Sequence, residues 1–269
     1  MGEKLTREKL DLLYAQWNKP EYISPDPLET VVVYNNLQDR EVAGLLASSM
    51  AYGRVAALLV PLKKILGIMG SSPADFVSEK SEEQMFDLFE GIIHRFAAPA
   101  EFAALLAGSG AALRKYGSLE SVLLKGYLSE DGATDIIRGL KYFTDFIKEN
   151  ASGNPGHLLP DPLKGSACKR LLLYLRWMVR NDSVDPGGWN RIRISDLLLP
   201  LDTWTYRISL RAGWTERKSA DMKTVIEVSR ALAEINPEDP VKYDFSLSRF
   251  GIRSALNPDL LFKDYPELL

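Results

Sequence analysis

The sequence predicts an all-α fold. Apolar residues recur every three or four positions along the longest periodic segments, which is the spacing of one helix face. Proline and glycine punctuate the chain between those segments. We find no segment that convincingly alternates apolar and polar side chains as a half-buried strand would, and no internal repeat.

The first strong helical pattern runs from Asp39 to Leu66 and is broken near Tyr52 and Gly53. Because the periodicity resumes after the break, we expect two consecutive helices with a bend at Gly53. Further helical patterns cover roughly residues 99–116, 133–149, 166–180, 203–212, 219–235 and 240–250. Turns rich in proline and glycine separate them, as expected of a helical bundle.

Composition narrows the class of protein. The 269 residues are 46% hydrophobic and 26% charged, which is typical of a globular domain. No apolar run approaches the roughly 18 residues of a membrane span, and the N-terminal segment lacks the apolar core of a signal peptide. The single cysteine, Cys168, excludes a disulfide framework, and two histidines are too few for a typical zinc or Ser-His hydrolase site. We therefore expect a soluble cytoplasmic protein without metal or cofactor.

Charge is unevenly distributed along the chain. Residues 164–230 hold 13 Lys and Arg against 7 Asp and Glu, a balance of +6, although the whole chain has a net charge of −3. Residues 1–163 and 231–269 are both acidic, at −6 and −3. One basic block between acidic segments fits a protein that presents a single face to phosphates. A solvated helix face with no partner fits the same numbers.

Residues 157–170 form a proline-rich turn that runs into a helix. Ser166 is placed to cap that helix, which puts Lys169 at the third helical position. The positive end of the helix dipole and the neighbouring Arg170 and Arg176 disfavour a protonated amine there. A neutral amine is what a nucleophile needs to form a Schiff base. A solvated or phosphate-binding lysine is the alternative.

A second segment opens a helix with an aspartate. Asp202 follows a proline and a leucine, and Gly213 closes the helix. Aspartate is among the commonest N-cap residues, so capping alone accounts for it. A buried carboxylate at this place would instead stabilise positive charge in a transition state. The residues alone leave both interpretations open.

These segments resemble the helix-hairpin-helix DNA glycosylases. Pro200-Leu-Asp-Thr203, followed by an arginine-containing helix and a glycine, is similar to their V-D-T-H-x-x-R element. In bifunctional members a catalytic lysine lies upstream of that aspartate. The 33 residues from Lys169 to Asp202 are similar to the spacing in archaeal 8-oxoguanine DNA glycosylases, and residues 240–251 resemble their late helix.

Most of residues 25–252 also resembles a bacterial protein family of unknown function, distantly related to those glycosylases. The segments that carry this likeness are Met50-Ala-Tyr-Gly53, Ser166-Ala-Cys-Lys-Arg170, Leu175-Arg-Trp-Met-Val-Arg180, Pro200-Leu-Asp-Thr203 and Pro237-Glu-Asp-Pro-Val-Lys-Tyr-Asp-Phe245. The resemblance implies a two-lobed helical bundle, residues 1–269 forming one globular unit. One lobe would comprise residues 30–150, and the other residues 1–29 together with 151–269, with a cleft between them.

The resemblance also implies an activity, that of a DNA N-glycosylase with lyase character. A damaged base such as an oxidised purine would be flipped from double-stranded DNA into the cleft. Lys169 would attack the sugar, Asp202 would stabilise the developing charge, and Asp244 would contact the base. Arg176 and Arg180 are candidates for phosphate binding, with a merely solubilising role equally open. We expect a monomer without a membrane partner.

Two departures from the glycosylase pattern bear on the substrate. Trp204 stands where the pattern has histidine, and Leu173 and Ser248 stand where archaeal enzymes sandwich the base between aromatic rings.

Two other classes of function stay open. A non-catalytic DNA-binding protein would keep the fold with Lys169 far from Asp202. In a helical protein–protein scaffold, the basic residues would be distributed over the whole surface and not gathered on one face.

Overall fold

The computed structural model describes residues 5–252, 261 and 262, with side chains up to residue 250 and at 261 and 262. The described residues are helical apart from loops and isolated bridges, so the all-α prediction is confirmed. The α-helices are α1 Arg7–Trp17, α2 Leu37–Ser49, α3 Val55–Met69, α4 Pro73–Glu79, α5 Glu82–Leu88, α6 Pro99–Tyr116, α7 Leu119–Tyr127, α8 Ile136–Glu149, α9 Lys169–Val179, α10 Thr203–Ala212, α11 Met222–Ile235 and α12 Asp244–Ile252.

The predicted bend between the first two periodic segments is confirmed. Helix α2 ends at Ser49 and α3 begins at Val55, with Gly53 at a φ of 86° between them. A Cβ on Gly53 would lie 3.1 Å from Arg95 Nη1, so both the backbone angle and the close side chain favour glycine.

Helix boundaries follow the caps in the sequence. Helix α6 begins at Pro99 and is closed by Gly117 in the left-handed region, matching the predicted 99–116. The segments predicted from 133 and 219 begin three residues later, because Asp135 and Asp221 cap α8 and α11 through their side chains.

Two sets of packed helices surround α9, and its Arg176 side chain donates a hydrogen bond to Asp244 of α12. Helices α4, α5 and α8 pack against α6, and α7 packs along α8. Helix α12 packs against α1 and α10, while α9 packs against α2. Helix α9 packs into the core through these buried apolar side chains: Leu171, Leu172, Leu175, Met178 and Val179. The division into lobes at residues 30–150 stays a prediction.

Candidate functional site

A cavity of about 480 Å³ lies where the start of α9, the α2–α3 bend and α12 come together. Ala51, Gly53 and Arg54 of the bend line this cavity. Other lining residues come from segments 25–27, 169–204 and 244–249. Residues far apart in sequence therefore meet at one place. The charged side chains of the wall are Asp26, Arg54, Lys169, Arg176, Asp202, Asp244 and Arg249.

Lys169 is the first residue of α9, two positions earlier in the helix than predicted. The N-cap is Cys168, whose backbone is left-handed at a φ of 46°, so the expectation that Ser166 caps the helix is wrong. Ser166 Oγ instead accepts a hydrogen bond from the Cys168 amide at 3.3 Å, inside the turn that precedes the helix. This turn delivers the Lys169 side chain into the cavity wall.

Asp202 caps α10 as the sequence predicts. Its Oδ1 accepts hydrogen bonds from the amides of Trp204 and Thr205 at 2.8 and 2.7 Å and from the Thr205 hydroxyl at 2.8 Å. Its Oδ2 lies 3.9 Å from Lys169 Nζ. The two carboxylate oxygens thus have different neighbours, one capping the helix and the other facing the amine.

The structure brings Lys169 and Asp202 together across 33 residues of sequence. Both line the cavity, and their side chains are 37% and 20% exposed. An amine and a carboxylate within 4 Å in a cleft can perform nucleophilic or proton-transfer chemistry on a bound molecule. The arrangement expected of a non-catalytic protein, a lysine far from Asp202, is not found.

Asp244 lies in the same cavity and is nearly enclosed, at 3% exposure. Its Oδ2 accepts a hydrogen bond from Arg176 Nη1. Burial raises the pKa of Asp244 to about 6 against the opposing effect of Arg176, and the nearby charge of Asp202 adds to the rise. The side chain proposed from the resemblance to contact a base is therefore placed in the cavity wall beside the Lys169–Asp202 pair.

Arg176 and Arg180 do not form an exposed phosphate-binding face, and that expectation is corrected. Each residue is only 3% exposed. Arg176 pairs with Asp185 at 3.1 Å as well as with Asp244, and Arg180 pairs with Asp185 and with Asp239 at 2.9 Å. Burial is tolerated because every guanidinium faces carboxylates. Arg176 reaches the cavity wall, whereas Arg180 is not among the lining residues.

Other arginines of the basic block also have intramolecular partners. Arg191 pairs with Glu120 at 2.9 Å, and Arg217 pairs with Asp221 at 2.8 Å. The local charge of +6 is therefore partly balanced by carboxylates inside and outside the block. Lys164 of the same block is exposed, in the turn before α9.

Sequence reasoning missed a second ion pair in the cavity wall. Arg249 Nη2 donates to Asp26 Oδ2 at 2.8 Å, and its guanidinium lies 4.0 Å from the centre of the Phe245 ring. Arg249 Nη1 also donates to the Tyr22 carbonyl at 2.9 Å. Tyr22 and Asp26 are both more than 220 residues from Arg249 in the sequence, so no local motif predicts these contacts.

The positions that depart from the glycosylase pattern all line the cavity. Leu173 and Ser248 lie in its wall, and Trp204 lies there with Arg207 stacked over its ring at 5.2 Å. Trp204 therefore supplies an aromatic surface from the α10 side, while the other two positions supply none. Within the described residues no group of three His, Cys, Asp or Glu is arranged to hold a metal ion.

No single helix in the described part of the chain is long and apolar enough to cross a membrane. Helices α3 and α4 reach that length and composition only when joined across a bend of 68°.

Fold and site together define an all-helical protein whose cavity holds a lysine amine beside a carboxylate. Residues 26–253 match the model of a family described as "Protein of unknown function (DUF2400)", so the chain belongs to that family. No curated protein matches the chain, and no solved structure matches it.

Proposed function

We propose that this protein is a DNA N-glycosylase and abasic-site lyase with a fold like that of the helix-hairpin-helix glycosylases. It acts as a cytoplasmic monomer on double-stranded DNA that carries a damaged base, such as an oxidised purine. The observation that carries the proposal is the 3.9 Å separation of Lys169 Nζ from Asp202 Oδ2 in the wall of one cavity. The alternative is a non-catalytic DNA-binding protein with the same fold.

The cavity suits a flipped nucleotide in size and in chemistry. Its volume of about 480 Å³ falls within the roughly 300–1,000 Å³ of small-molecule sites. Trp204 offers an aromatic face and Asp244 a carboxylate that accepts hydrogen bonds from base N–H groups. The amine and Asp202 lie in the same wall, where a sugar attached to that base would be held.

The proposed reaction uses Lys169 as the nucleophile. Once Nζ has lost a proton, it attacks the anomeric carbon of the sugar, and the glycosidic bond breaks. The base leaves with the bonding electron pair and takes up a proton. As the sugar ring opens, the ring oxygen takes up the proton that the attached nitrogen gives up, which leaves an iminium between Nζ and the sugar. Loss of a proton from the neighbouring carbon then expels the 3′ phosphate.

Asp202 acts through the oxygen that does not cap α10. Its Oδ2 faces the amine and can accept the proton that Lys169 releases. Its negative charge also stabilises the positive charge that develops on the sugar as the base departs. No metal or cofactor takes part in these steps.

Base release from a panel of duplexes, each with one damaged base, tests the proposal. The parent protein should release at least one base, and Lys169→Gln should bind DNA but release none. Lys164→Gln is the matched control, because Lys164 is an exposed lysine of the preceding turn outside the cavity wall. DNA binding without release from any duplex favours the non-catalytic alternative, and no binding at low salt contradicts both.

A further inference from the structure

Arg170 directly follows Lys169 in α9 and bonds to two other parts of the chain. Its Nη1 donates to the Ser49 carbonyl at 2.7 Å, and its Nη2 donates to the His157 carbonyl. Ser49 is the last residue of α2, and His157 lies in the single helical turn Gly156–Leu158 that comes before α9. One guanidinium therefore joins three segments at the point where the helix that carries the amine begins.

Carbonyl oxygens, and not carboxylates, hold this guanidinium. Arg170 is half-buried, and it forms no ion pair with any carboxylate in the part of the chain that the structure describes. Glu101 lies nearby, since its charge acts on both Tyr52 and His157, but it accepts a hydrogen bond from the Ala98 amide at 3.0 Å. Because a guanidinium donates in a rigid planar fork, bonds from two of its nitrogens fix its position.

Tyr52 strengthens the same joint. The centre of its ring lies 5.0 Å from Arg170 Cζ, its hydroxyl donates to the His94 carbonyl at 2.8 Å, and His157 Nε2 lies 2.9 Å from the hydroxyl oxygen. Because the hydroxyl proton is given to the His94 carbonyl, the His157 ring is the donor in the second bond. Gly53, the next residue after Tyr52, lines the cavity. The joint thus connects one wall of the cavity to the start of α9.

The backbone immediately before Lys169 needs such support. Cys168 has a φ of 46°, in the left-handed region, a conformation that costs free energy for a residue with a Cβ. Conformations of this kind persist only where surrounding contacts hold them. The Cys168 amide donates to Ser166 Oγ at 3.3 Å on the N-terminal side, and the two bonds of Arg170 hold the C-terminal side. Loss of the Arg170 bonds would therefore let the first turn of α9 shift together with the amine.

We infer that Arg170 is a positioning residue, which places Lys169 Nζ against the sugar held in the cavity. This inference rests on the proposed function, because only a reacting amine needs so closely defined a place. Arg170 is not among the residues that line the cavity, so it acts through Lys169. Misplacing a reacting atom by about 1 Å can slow a reaction on the order of a hundredfold. If Arg170 instead bound a DNA phosphate, its loss would weaken the affinity for DNA and leave the rate of the bound protein unchanged.

The test is single-turnover borohydride trapping on a duplex that contains an abasic site, with the protein in excess at a series of concentrations. The series separates the trapping rate of the bound protein from the concentration that gives half-saturation. Arg170→Ala should lower the rate of the bound protein on the order of tenfold or more and change half-saturation by less than about twofold. Tyr52→Phe keeps the ring and loses only the hydroxyl, so its rate should lie between those of the parent and Arg170→Ala.

Arg40→Ala is the matched control and should trap at the parent rate. Arg40 is a half-buried arginine outside the cavity wall, and its Nη1 donates to the carbonyls of Pro186 and Gly187 at 3.1 and 2.9 Å. Equal rates of bound Arg170→Ala and bound parent overturn the inference, and weaker binding at an equal rate would assign Arg170 to a phosphate. Slowing by Arg40→Ala as large as that by Arg170→Ala also overturns it. If Arg170→Ala does not fold, Tyr52→Phe decides, and its trapping at the parent rate overturns the inference. Absence of trapping by the parent overturns the proposed lyase and this inference with it.

Discussion

Asp202→Asn separates the two tasks of the Asp202 carboxylate. Oδ1 accepts hydrogen bonds from the backbone amides of Trp204 and Thr205 at 2.8 and 2.7 Å, whereas Oδ2 lies 3.9 Å from Lys169 Nζ. Asparagine retains a carbonyl oxygen and caps helices about as well as aspartate, so the free energy of unfolding should change by less than about 1 kcal/mol. The substitution removes the negative charge and puts an amide NH2 group in place of Oδ2.

The size of the lost interaction follows from the geometry. Two unit charges 3.9 Å apart attract by about 1 kcal/mol in water and by about 4 kcal/mol at an effective dielectric constant of 20. The side chains are 37% and 20% exposed, so the pair lies between these limits. Since the charge on a sugar develops in the same partly enclosed site, base release should slow on the order of a hundredfold.

Single-turnover base release and urea unfolding together measure the two effects. Asp202→Ala is the comparison, because it loses both the cap and the charge. It should lower the free energy of unfolding by about 0.5–2 kcal/mol and slow base release as Asn does. Base release by Asp202→Asn at the parent rate would show that Asp202 is only a cap. Strong destabilisation by Asn would show that the capping argument is wrong.

Three further predictions concern the buried charges and the close packing. Arg180→Ala should lower the free energy of unfolding by about 3–5 kcal/mol in urea titrations, because the buried carboxylate of Asp185 loses a partner; a loss near zero would contradict the ion-pair account. Because burial raises the pKa of Asp244 to about 6, the folded state holds its proton more tightly than the unfolded state. The stability of the parent relative to Asp244→Asn should thus be highest below about pH 4 and fall as pH rises through 6, and a difference that is flat in urea titrations across this range would refute it. Gly110→Ala should destabilise by about 1–3 kcal/mol, since its Cβ would lie 1.9 Å from a carbonyl oxygen of α4, whereas Gly67→Ala, with nothing within 4 Å, should not; thermal unfolding of the pair checks this.

The long helices could be predicted from sequence because they are periodic and capped. Helix α6 has proline at its start and Gly117 after its end, and the structure gives the predicted bounds. The predicted segments do not include α1, α4, α5 or α7. The last three have seven to nine residues, which is too short for a clear period. Each of these three short helices has a serine N-cap, Ser72, Ser81 and Ser118, which is a sequence signal for a helix start.

Part of the candidate site could be predicted from the sequence. Lys169 and Asp202 are predicted near helix starts and Asp244 from the resemblance, and all three line the cavity, whereas the turn geometry at Cys168 is not predicted. The burial of Arg176 and Arg180 could not be foreseen, because it depends on carboxylates up to 68 residues away that the fold brings alongside α9. These tertiary ion pairs therefore bury two arginine side chains that the sequence predicts on the surface.

The most direct test of the account is to locate the covalent bond. Parent protein, Lys169→Gln and Lys164→Gln are each mixed with a duplex containing an abasic site and treated with borohydride, and the trapped product is digested and mapped by mass spectrometry. The account predicts one modified peptide, bearing the sugar on Lys169, with no product from Lys169→Gln and parent yield from Lys164→Gln. Trapping by Lys169→Gln, or a modified peptide that lacks residue 169, would contradict it.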